Sequence, residues 1–253
     1  MSKKYPRYAG LVAPLAAILV IVLAWEGASH AFQISERLLP APSAILSALA
    51  ENFSSVIASD MLISIQNILL GYIIAIPIGF GIAMVCSQFK VVVRAATPVL
   101  IILMVTPMAT LVPIFRLFWG AGNFLKIIVI VLQTAPVVAL NSLTGFSNPP
   151  AGNVDVLRSM GCGRWKVFFK AAVPNAMPQV FTGLKLGCIL GTIASMVADM
   201  SVGQGGLGYR ISVYASFAAT DSAFAAILVA AVLGVLLFQA VSLFERLITA
   251  WSR

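Results

Sequence analysis

Met61–Phe89 reads MLISIQNILLGYIIAIPIGFGIAMVCSQF, a run of 29 residues without a charged side chain. An α-helix rises 1.5 Å per residue, so this run is long enough to cross about 30 Å of hydrocarbon. The whole chain has the same character, because 60% of its 253 residues are hydrophobic, 9% are charged and the mean hydropathy is +1.02. Soluble domains are about 25% charged and disordered chains are poor in apolar residues, so both classes of protein are excluded.

Five further segments are predicted to span the membrane. Four of them are uncharged runs of sufficient length, namely residues 8–25, 95–115, 127–154 and 222–244. The fifth requires the Lys185 side chain to extend to one interface while Asp199 lies near the other, which leaves the 19 residues Leu184–Val202. The sequence therefore predicts an all-α membrane protein with six transmembrane helices.

The distribution of basic residues predicts the orientation of these spans. With both termini in the cytoplasm, 11 Lys and Arg residues fall in cytoplasmic segments and four in outer segments or at outer span edges, as the positive-inside rule requires. This bias explains the excess of 16 Lys and Arg over 8 Asp and Glu without a nucleic-acid partner. Residues 8–25 could instead form a cleaved signal peptide. They run into Trp25 and Glu26 without an A-x-A-like site, so a retained span is favoured.

The segment after the first span is expected to form a second helix, lying on the outer surface. Apolar side chains recur every three to four residues over Ala44–Ser59, and Ser43 is expected to cap this amphipathic helix. We therefore divide the chain into residues 1–60, with the first span and the surface helix, and residues 61–253, with a five-span core.

Small residues recur at every fourth position in two of the spans. One set is Gly71, Ala75, Gly79 and Ala83, and the other is Gly183, Gly187, Gly191 and Ser195. Such stripes allow helix backbones to approach closely in lipid, so both are expected to lie at helix–helix contacts. Prolines at positions 77, 98, 107, 113, 136 and 178 each remove a backbone donor and are expected to kink the spans.

Several kinds of site are excluded by the residues that the sequence lacks. One histidine, His30, and three widely spaced cysteines give no metal pattern, no disulfide pattern and no Ser-His-Asp set. There is no Gly-Lys dipeptide, and hence no G-x-x-x-x-G-K-[ST] phosphate loop. Gly203–Gly208 satisfies G-x-G-x-x-G, but no βαβ unit can surround it, so we expect a flexible turn. Only Asp199 among the carboxylates approaches a span, at its edge, so ion-coupled transport lacks its usual residues.

Residues 147–174 form the longest inner segment and are called the elbow. Asn153 is expected to cap a short helix, in which Asp155 suits the positive N-terminal end. Gly161–Gly163 allows a sharp corner, after which a second short helix leads through Pro174 into span five. This bent surface, apolar on one side and basic on the other, could fit a groove on a soluble partner.

The elbow resembles a loop of bacterial ABC importer permeases. Asp155-Val-Leu, three residues, Gly161, nine residues and Ala171-Ala-Val-Pro174 follow the spacing of that family's EAA-x3-G-x9-I-x-L-P loop. The family's Glu-Ala-Ala triplet and Ile-x-Leu positions differ here, whereas Gly161 and Pro174 are retained. The resemblance therefore implies that the bend is kept while the surface that contacts the ATPase is altered. An altered surface implies a dedicated ATPase partner. Four more runs are similar to the taurine, sulfonate and nitrate branch: Leu39–Leu46, Ile114–Gly122, Gly206–Ile211 and Thr220–Ile227.

This resemblance implies a type I ABC importer permease fold with a cytoplasmic coupling helix between spans four and five. It implies a non-catalytic subunit in the bacterial cytoplasmic (inner) membrane, which binds no cofactor itself and imports a small anion such as a sulfonate, nitrate or carboxylate. The implied partners are a second, identical permease, two copies of an ATP-binding subunit that hold ATP and Mg²⁺, and a periplasmic or lipoprotein solute-binding protein.

The resemblance and the polar residues of the spans together give three sets of candidate site residues. The coupling set is Asp155, Val156, Leu157, Arg158, Gly161, Gly163, Arg164 and Pro174. The pathway set is Gln66, Asn67, Gln133, Asn141 and Asp199. The binding-protein set lies in the outer loop Met200–Ser222 and comprises Gly206, Tyr209 and Arg210. A self-contained channel or secondary carrier is the alternative function, but six spans are few for a carrier built of two repeats, and no repeat is visible.

Overall fold

The computed structural model describes residues 9–149 and 151–249, and helices are the only regular elements in these two ranges. The α-helices are α1 (Ala9–Ala31), α2 (Pro42–Asn52), α3 (Ala58–Cys86), α4 (Lys90–Val105), α5 (Met108–Trp119), α6 (Asn123–Ser147), α7 (Ala151–Ser159), α8 (Arg164–Val167), α9 (Val173–Val202), α10 (Leu207–Ser216) and α11 (Thr220–Ile248). Two π-helical turns, Phe53–Ile57 and Phe168–Ala172, join α2 to α3 and α8 to α9. The predicted all-α fold class is confirmed.

Four helical runs are long and apolar enough to cross a membrane: Pro42–Cys86, Asn123–Ser147, Arg164–Val202 and Thr220–Ile248. The bent pair α4 and α5 makes a fifth if it is counted as one span. The predicted span at residues 8–25 falls largely within α1, an apolar helix of 23 residues. The count of six spans stays a prediction.

The predicted span at residues 95–115 is broken in the structure. Helix α4 ends at Val105 and α5 begins at Met108, and the two helices are bent by 93° relative to each other. The break lies at Pro107, which has no N–H and disfavours a helical conformation for the residue before it. Thr106 is accordingly extended, with φ −60° and ψ 119°.

The surface helix differs from its prediction at both ends. It begins at Pro42, so Ala41 is its N-cap residue and the predicted cap at Ser43 is wrong. The Ser43 hydroxyl donates instead to Glu26 Oε1 of α1 over 2.7 Å. At the other end the helix does not stop at Ser59, because a π-helical turn carries the chain into α3 without a break. Proline at the first helical position suits this start, since its missing N–H would be unpaired there anyway.

The fifth predicted span is much longer than the 19 residues of Leu184–Val202. Helix α8, a π-helical turn and α9 form one run of 39 residues, Arg164–Val202. Pro174 does not end this run, although it removes one backbone donor; it lies two residues after the π-helical turn Phe168–Ala172, at the start of α9. Lys185 also does not extend alone to an interface, since its Nζ lies 2.9 Å from Glu245 Oε2 of α11.

The described residues form two compact units. One comprises the residues up to Ser59 together with Arg210–Val229. In this unit the Thr220 hydroxyl donates to the Arg37 carbonyl over 2.8 Å, and the rings of Trp25 and Phe224 meet edge to face. The other unit comprises Asp60–Tyr209 and the residues from Ala230 onward.

Helix α6 is the central packing element of the second unit. It packs most extensively against α9, and both predicted small-residue stripes are buried. A Cβ added to Gly79 of α3 would lie 2.6 Å from the carbonyl oxygen of Ala135, and one added to Gly183 of α9 would lie 2.7 Å from Asn141 Cβ. Both stripes therefore face α6, which confirms that they lie at helix–helix contacts.

Candidate functional site

The elbow turns at a glycine in the left-handed conformation. Helix α7 ends at Ser159, and Gly161 follows with φ +74°. Its N–H donates to the Arg158 carbonyl over 2.9 Å, and the Cys162 N–H donates to the Leu157 carbonyl over 3.0 Å. These two bonds pair carbonyls that the helix end would otherwise leave unsatisfied, and a left-handed glycine is the usual residue at this position. The predicted corner is confirmed.

The start of the elbow helix was predicted wrongly. Helix α7 begins at Ala151, so Asn153 lies inside its first turn and does not cap it. In the sequence, Asn148-Pro149-Pro150 precede this start. Gly163 is the extended residue that precedes the second elbow helix, α8.

The face of the elbow that is turned away from the helix bundle, which we call its outer face, carries exposed apolar side chains. Val156 is 58% exposed, and Met160 and Trp165 are more than half exposed. The remaining residues of the coupling set are either exposed or half-buried in the same elbow: Asp155, Leu157, Arg158, Gly161, Gly163, Arg164 and Pro174. Exposed apolar side chains beside charged ones are typical of a surface that binds another protein.

The inner face of the elbow is fixed to the bundle through aromatic rings. The rings of Phe146 of α6 and Phe168, in the π-helical turn, meet edge to face at 5.1 Å, and Phe80 of α3 meets Phe146 at the same distance. On the other side, the Arg164 guanidinium lies over the Phe89 ring, 4.7 Å from its centroid. These contacts join the elbow directly to α6 and to the start of α4, and through Phe146 to α3.

An apolar cavity of about 200 Å³ lies beside the break between α4 and α5. It is lined by Pro107, Met108, Val129, Gln133, Leu190, Ile193, Ala194 and Val197. Gln133 is the one residue among these with a polar side chain. An apolar pocket with a few polar groups is the usual form of a small-molecule site.

The other members of the pathway set lie outside this cavity lining. Gln66 is exposed, whereas Asn67 is buried and its Nδ2 has no hydrogen-bond partner among the described residues. Asn141 is half-buried and donates to the carbonyl of Val137, one turn earlier in its own helix. Asp199 is completely buried, with 0% of its side chain exposed.

The buried Asp199 forms an ion pair with Lys126 in the first turn of α6. Lys126 Nζ lies 2.9 Å from Asp199 Oδ1, and both side chains are 0% exposed. The ammonium also donates to the carbonyls of Gln204 and Gly205, over 3.2 and 2.7 Å. The ammonium therefore has its counter-ion and two carbonyl oxygens within 3.2 Å.

Helix α3 completes this network through Asp60 and Ser64. The Ser64 hydroxyl donates to Asp199 Oδ2 over 2.7 Å and accepts the N–H of Leu207 over 2.8 Å. Asp60 Oδ1 accepts the N–H of Gly206 over 2.8 Å. The residues Gly203–Gly208, which we call the glycine loop, are thus bonded to both α3 and α6. The prediction of a flexible turn here is wrong.

Sequence reasoning missed the buried charges of Asp60, Lys126 and Asp199. Each was placed at the edge of an uncharged run, where a charged side chain is expected to reach water. The available signal was the position of two of these residues at the start of uncharged runs. Lys126 directly precedes the run 127–154, and Asp60 directly precedes the run 61–89. In the structure all three are buried near the glycine loop. Of the binding-protein set, Gly206 is buried in this network, whereas Tyr209 and Arg210 are half-buried.

Residues 75–250 match the family described as "Binding-protein-dependent transport system inner membrane component". The chain is 23% identical to the taurine transport system permease protein TauC of Escherichia coli (strain K12), over 98% of this chain and 92% of the relative. It is 27% identical to the putative aliphatic sulfonates transport permease protein SsuC of Bacillus subtilis (strain 168), over 98% of this chain and 89% of the relative.

Two solved structures share the fold. An amino acid ABC transporter crystallised with histidines gives a TM-score of 0.61 at 16% identity, over 78% of this chain and 96% of that one. The inward-facing MetNI methionine ABC transporter gives 0.59 at 20% identity, over 82% and 95%. These similarities in fold agree with the family match, which covers more than half of the sequence. The chain belongs to the family of binding-protein-dependent transport system inner membrane components, and is a permease subunit of an ABC importer.

Proposed function

We propose that this permease forms the translocation pathway for a small anionic solute, such as a sulfonate, nitrate or a carboxylate. The relatives support this class of solute, since two of them are named for taurine and aliphatic sulfonates and a third is the nitrate import permease protein NrtB of Synechococcus elongatus. The formylaminopyrimidine transport permease protein ThiX of Halalkalibacterium halodurans, at 25% identity, represents the competing class of heterocyclic solutes.

The proposed complex contains two identical permeases in the cytoplasmic membrane, two ATP-binding subunits and a periplasmic or lipoprotein solute-binding protein. ATP and Mg²⁺ bind to the ATP-binding subunits, and this chain is the non-catalytic subunit. Both termini and the elbow lie in the cytoplasm in this arrangement. We also propose that the chain is divided at residue 60. Residues 1–60 hold the first span and the surface helix, and residues 61–253 hold the five-span core.

The observation that carries the proposal is the elbow, with its fixed inner face and exposed outer face. Val156, Met160 and Trp165 present apolar surface to a partner, while Phe168 is buried against the bundle. A movement of the ATP-binding subunits against α7 would therefore reach α9, which continues from the elbow as one helix. The full coupling set of residues 155–158, 161, 163, 164 and 174 lies in this segment.

We place the solute in the cavity beside the break between α4 and α5. Gln133 is well suited to contact it, because the amide donates two hydrogen bonds to an anion in apolar surroundings. Gln66, Asn67, Asn141 and Asp199 stay proposals for other parts of the pathway. The surface presented by the glycine loop with Tyr209 and Arg210 is proposed to receive the binding protein.

Reconstitution tests this function. The permease, co-expressed with its ATP-binding subunit and binding protein, is expected to take up taurine or nitrate into ATP-loaded proteoliposomes in preference to a formylaminopyrimidine. Uptake is expected to require both partners and hydrolysable ATP. Uptake by the permease alone would contradict the proposal and favour a self-contained channel or carrier.

A further inference from the structure

The fully buried ion pair of Lys126 and Asp199 is bonded to the glycine loop from two sides. The Lys126 ammonium binds the carbonyls of Gln204 and Gly205 directly. The Asp199 carboxylate accepts from Ser64, and the same hydroxyl accepts the Leu207 N–H. The loss of the pair would therefore remove support from both carbonyls and weaken the support of one amide.

The glycine loop has little conformational preference of its own. Gly203, Gly205 and Gly206 all have positive φ, at +74°, +72° and +98°. Glycine populates such conformations readily but loses the most conformational entropy when it is fixed in one of them. A segment with four glycines in six residues therefore takes a single shape only where outside contacts impose it.

The pair also limits which residues the loop accepts. A Cβ added to Gly206 would collide with the Asp199 carboxylate, and one added to Gly208 would collide with the Met196 carbonyl oxygen. The Gly208 N–H hydrogen-bonds to Asp199 as well. The loop backbone is thus packed directly on the charged pair, at a distance that only glycine allows.

We infer that Lys126 and Asp199 are positioning residues, which hold the glycine loop in the one conformation that presents the binding-protein surface. A buried pair is a costly way to stabilise a fold, because apolar residues of similar volume often do so equally well. The bonds from the ammonium to the loop are what apolar residues could not replace. This inference rests on the proposed role of the loop as that surface.

The double variant Lys126→Met with Asp199→Asn tests the inference, since it removes both charges at similar side-chain volume. The variant is purified as the complete complex and compared with the unaltered complex by hydrogen–deuterium exchange. Exchange of the amides of residues 203–209 is expected to rise at least tenfold. The elbow peptide of residues 151–163 serves as the folding control and is expected to exchange at its original rate. An unchanged rate in residues 203–209 would overturn the inference.

Ser64→Ala provides a second, milder variant in case the double variant does not assemble. It removes the hydroxyl that accepts the Leu207 N–H and donates to Asp199, and it strands no charge. Exchange at Leu207 is expected to rise at least threefold. The matched control is Ser55→Ala, because Ser55 is exposed and its hydroxyl donates to the Asn52 carbonyl, one turn earlier in the same helical run. Equal exchange at Leu207 in both serine variants would also overturn the inference.

A functional measurement separates this inference from the proposed function. The ratio of ATPase activity with the binding protein to activity without it is expected to fall at least fivefold in the variant whose loop exchanges faster. If the loop exchanges faster and the ATPase ratio is unchanged, the loop is not the surface that receives the binding protein. That part of the proposed function then fails together with the inference. If Tyr209→Ala loses stimulation while loop exchange in the double variant is unaltered, the proposed surface stands and the positioning role alone is wrong.

Discussion

At the scale of single residues, the two charges of the ion pair depend on each other. Lys126→Met alone leaves the Asp199 carboxylate buried without its cation, and Asp199→Asn alone leaves the ammonium without its anion. Removal of one partner from a buried pair costs about 3–5 kcal/mol, whereas removal of both is much milder. We expect either single variant to lower the yield of assembled complex far more than the double variant does.

Quantitative size-exclusion chromatography of the three variants measures this effect. If the loss of assembly in the double variant equals the sum of the losses in the two single variants, the two side chains do not interact energetically.

In the proposed mechanism, the backbone conformation of Gly161 is required for coupling to the ATP-binding subunits. A Cβ added there would meet no atom of the described residues within 4 Å, so within this part of the chain substitution is opposed by the positive φ. The left-handed conformation costs a residue with a Cβ about 1–2 kcal/mol, and asparagine tolerates it best. Gly161→Val is therefore expected to abolish uptake and the stimulation of ATPase, while Gly161→Asn retains at least about half of both.

Membrane insertion of both Gly161 variants is expected to be normal. Gly27→Val is a suitable control, because Gly27 is equally free of contacts but does not have a positive φ. Full uptake by Gly161→Val would remove the elbow turn from the mechanism.

Gln133 is expected to contribute directly to solute affinity. Gln133→Leu removes the only polar side chain of the cavity lining at nearly constant volume. The loss of one hydrogen bond to a bound anion is worth about 1.5 kcal/mol or more, so the KM for uptake is expected to rise about tenfold. Gln239→Leu, an exposed glutamine of α11, is the control. An unchanged KM in Gln133→Leu would place the solute elsewhere.

At the scale of helices, the small residues at every fourth position of α3 and α9 correctly predicted that these faces lie at helix–helix contacts. The reason is that close approach of two backbones in lipid requires residues without bulky side chains. Gly79→Val is expected to separate α3 from α6 and to lower stability by about 1–3 kcal/mol, because its Cβ would lie 2.6 Å from the Ala135 carbonyl oxygen. The matched control, Gly81→Val, lies in the same helix and would meet no atom within 4 Å.

Thermal unfolding of the purified complex in detergent compares these two variants. A similar fall in the midpoint for both would mean that the contact between α3 and α6 does not limit stability.

The ends of helices were predicted less well than their existence. Ser43 and Asn153 have side chains that cap helices, yet both helices begin one or two residues earlier, at Pro42 and Ala151. Capping preference is a local property of the sequence. The Ser43 hydroxyl instead donates a hydrogen bond to Glu26 of α1, a tertiary contact that the local sequence does not reveal. The π-helical turns were missed for a similar reason, since no residue pattern distinguishes them from the α-helices that they join.

At the scale of the whole molecule, the hydrophobic runs predicted a membrane protein because lipid requires them. The family was predicted from a resemblance, since the elbow keeps the spacing of the EAA loop together with Gly161 and Pro174. The buried charges were not predictable in this way. Lys126 pairs with Asp199, and Asp60 accepts the Gly206 N–H of the same loop. Sequence separation hides such contacts unless the packing of the helices is known.

The orientation of the chain is testable in intact cells. Trp165→Cys replaces an exposed residue of the elbow, and a membrane-impermeant maleimide is expected to label it only after the cells are opened. The control is Gln204→Cys in the glycine loop, which is exposed and is expected to react from outside. Both variants are made in a background in which the three native cysteines are replaced. Labelling of Trp165→Cys in sealed cells would invert the proposed topology.

The pairing of Lys126 with Asp199 also has a consequence for biosynthesis. Ribosomes make α6 before α9, so Lys126 leaves the exit tunnel while its carboxylate partner has not yet been translated. A lone ammonium is unfavourable in the lipid interior. The newborn α6 must therefore keep this end near water, or beside the insertion machinery, until α9 arrives. Chains released before residue 199 would lack the partner altogether and are expected to be the preferred targets of membrane quality-control proteases.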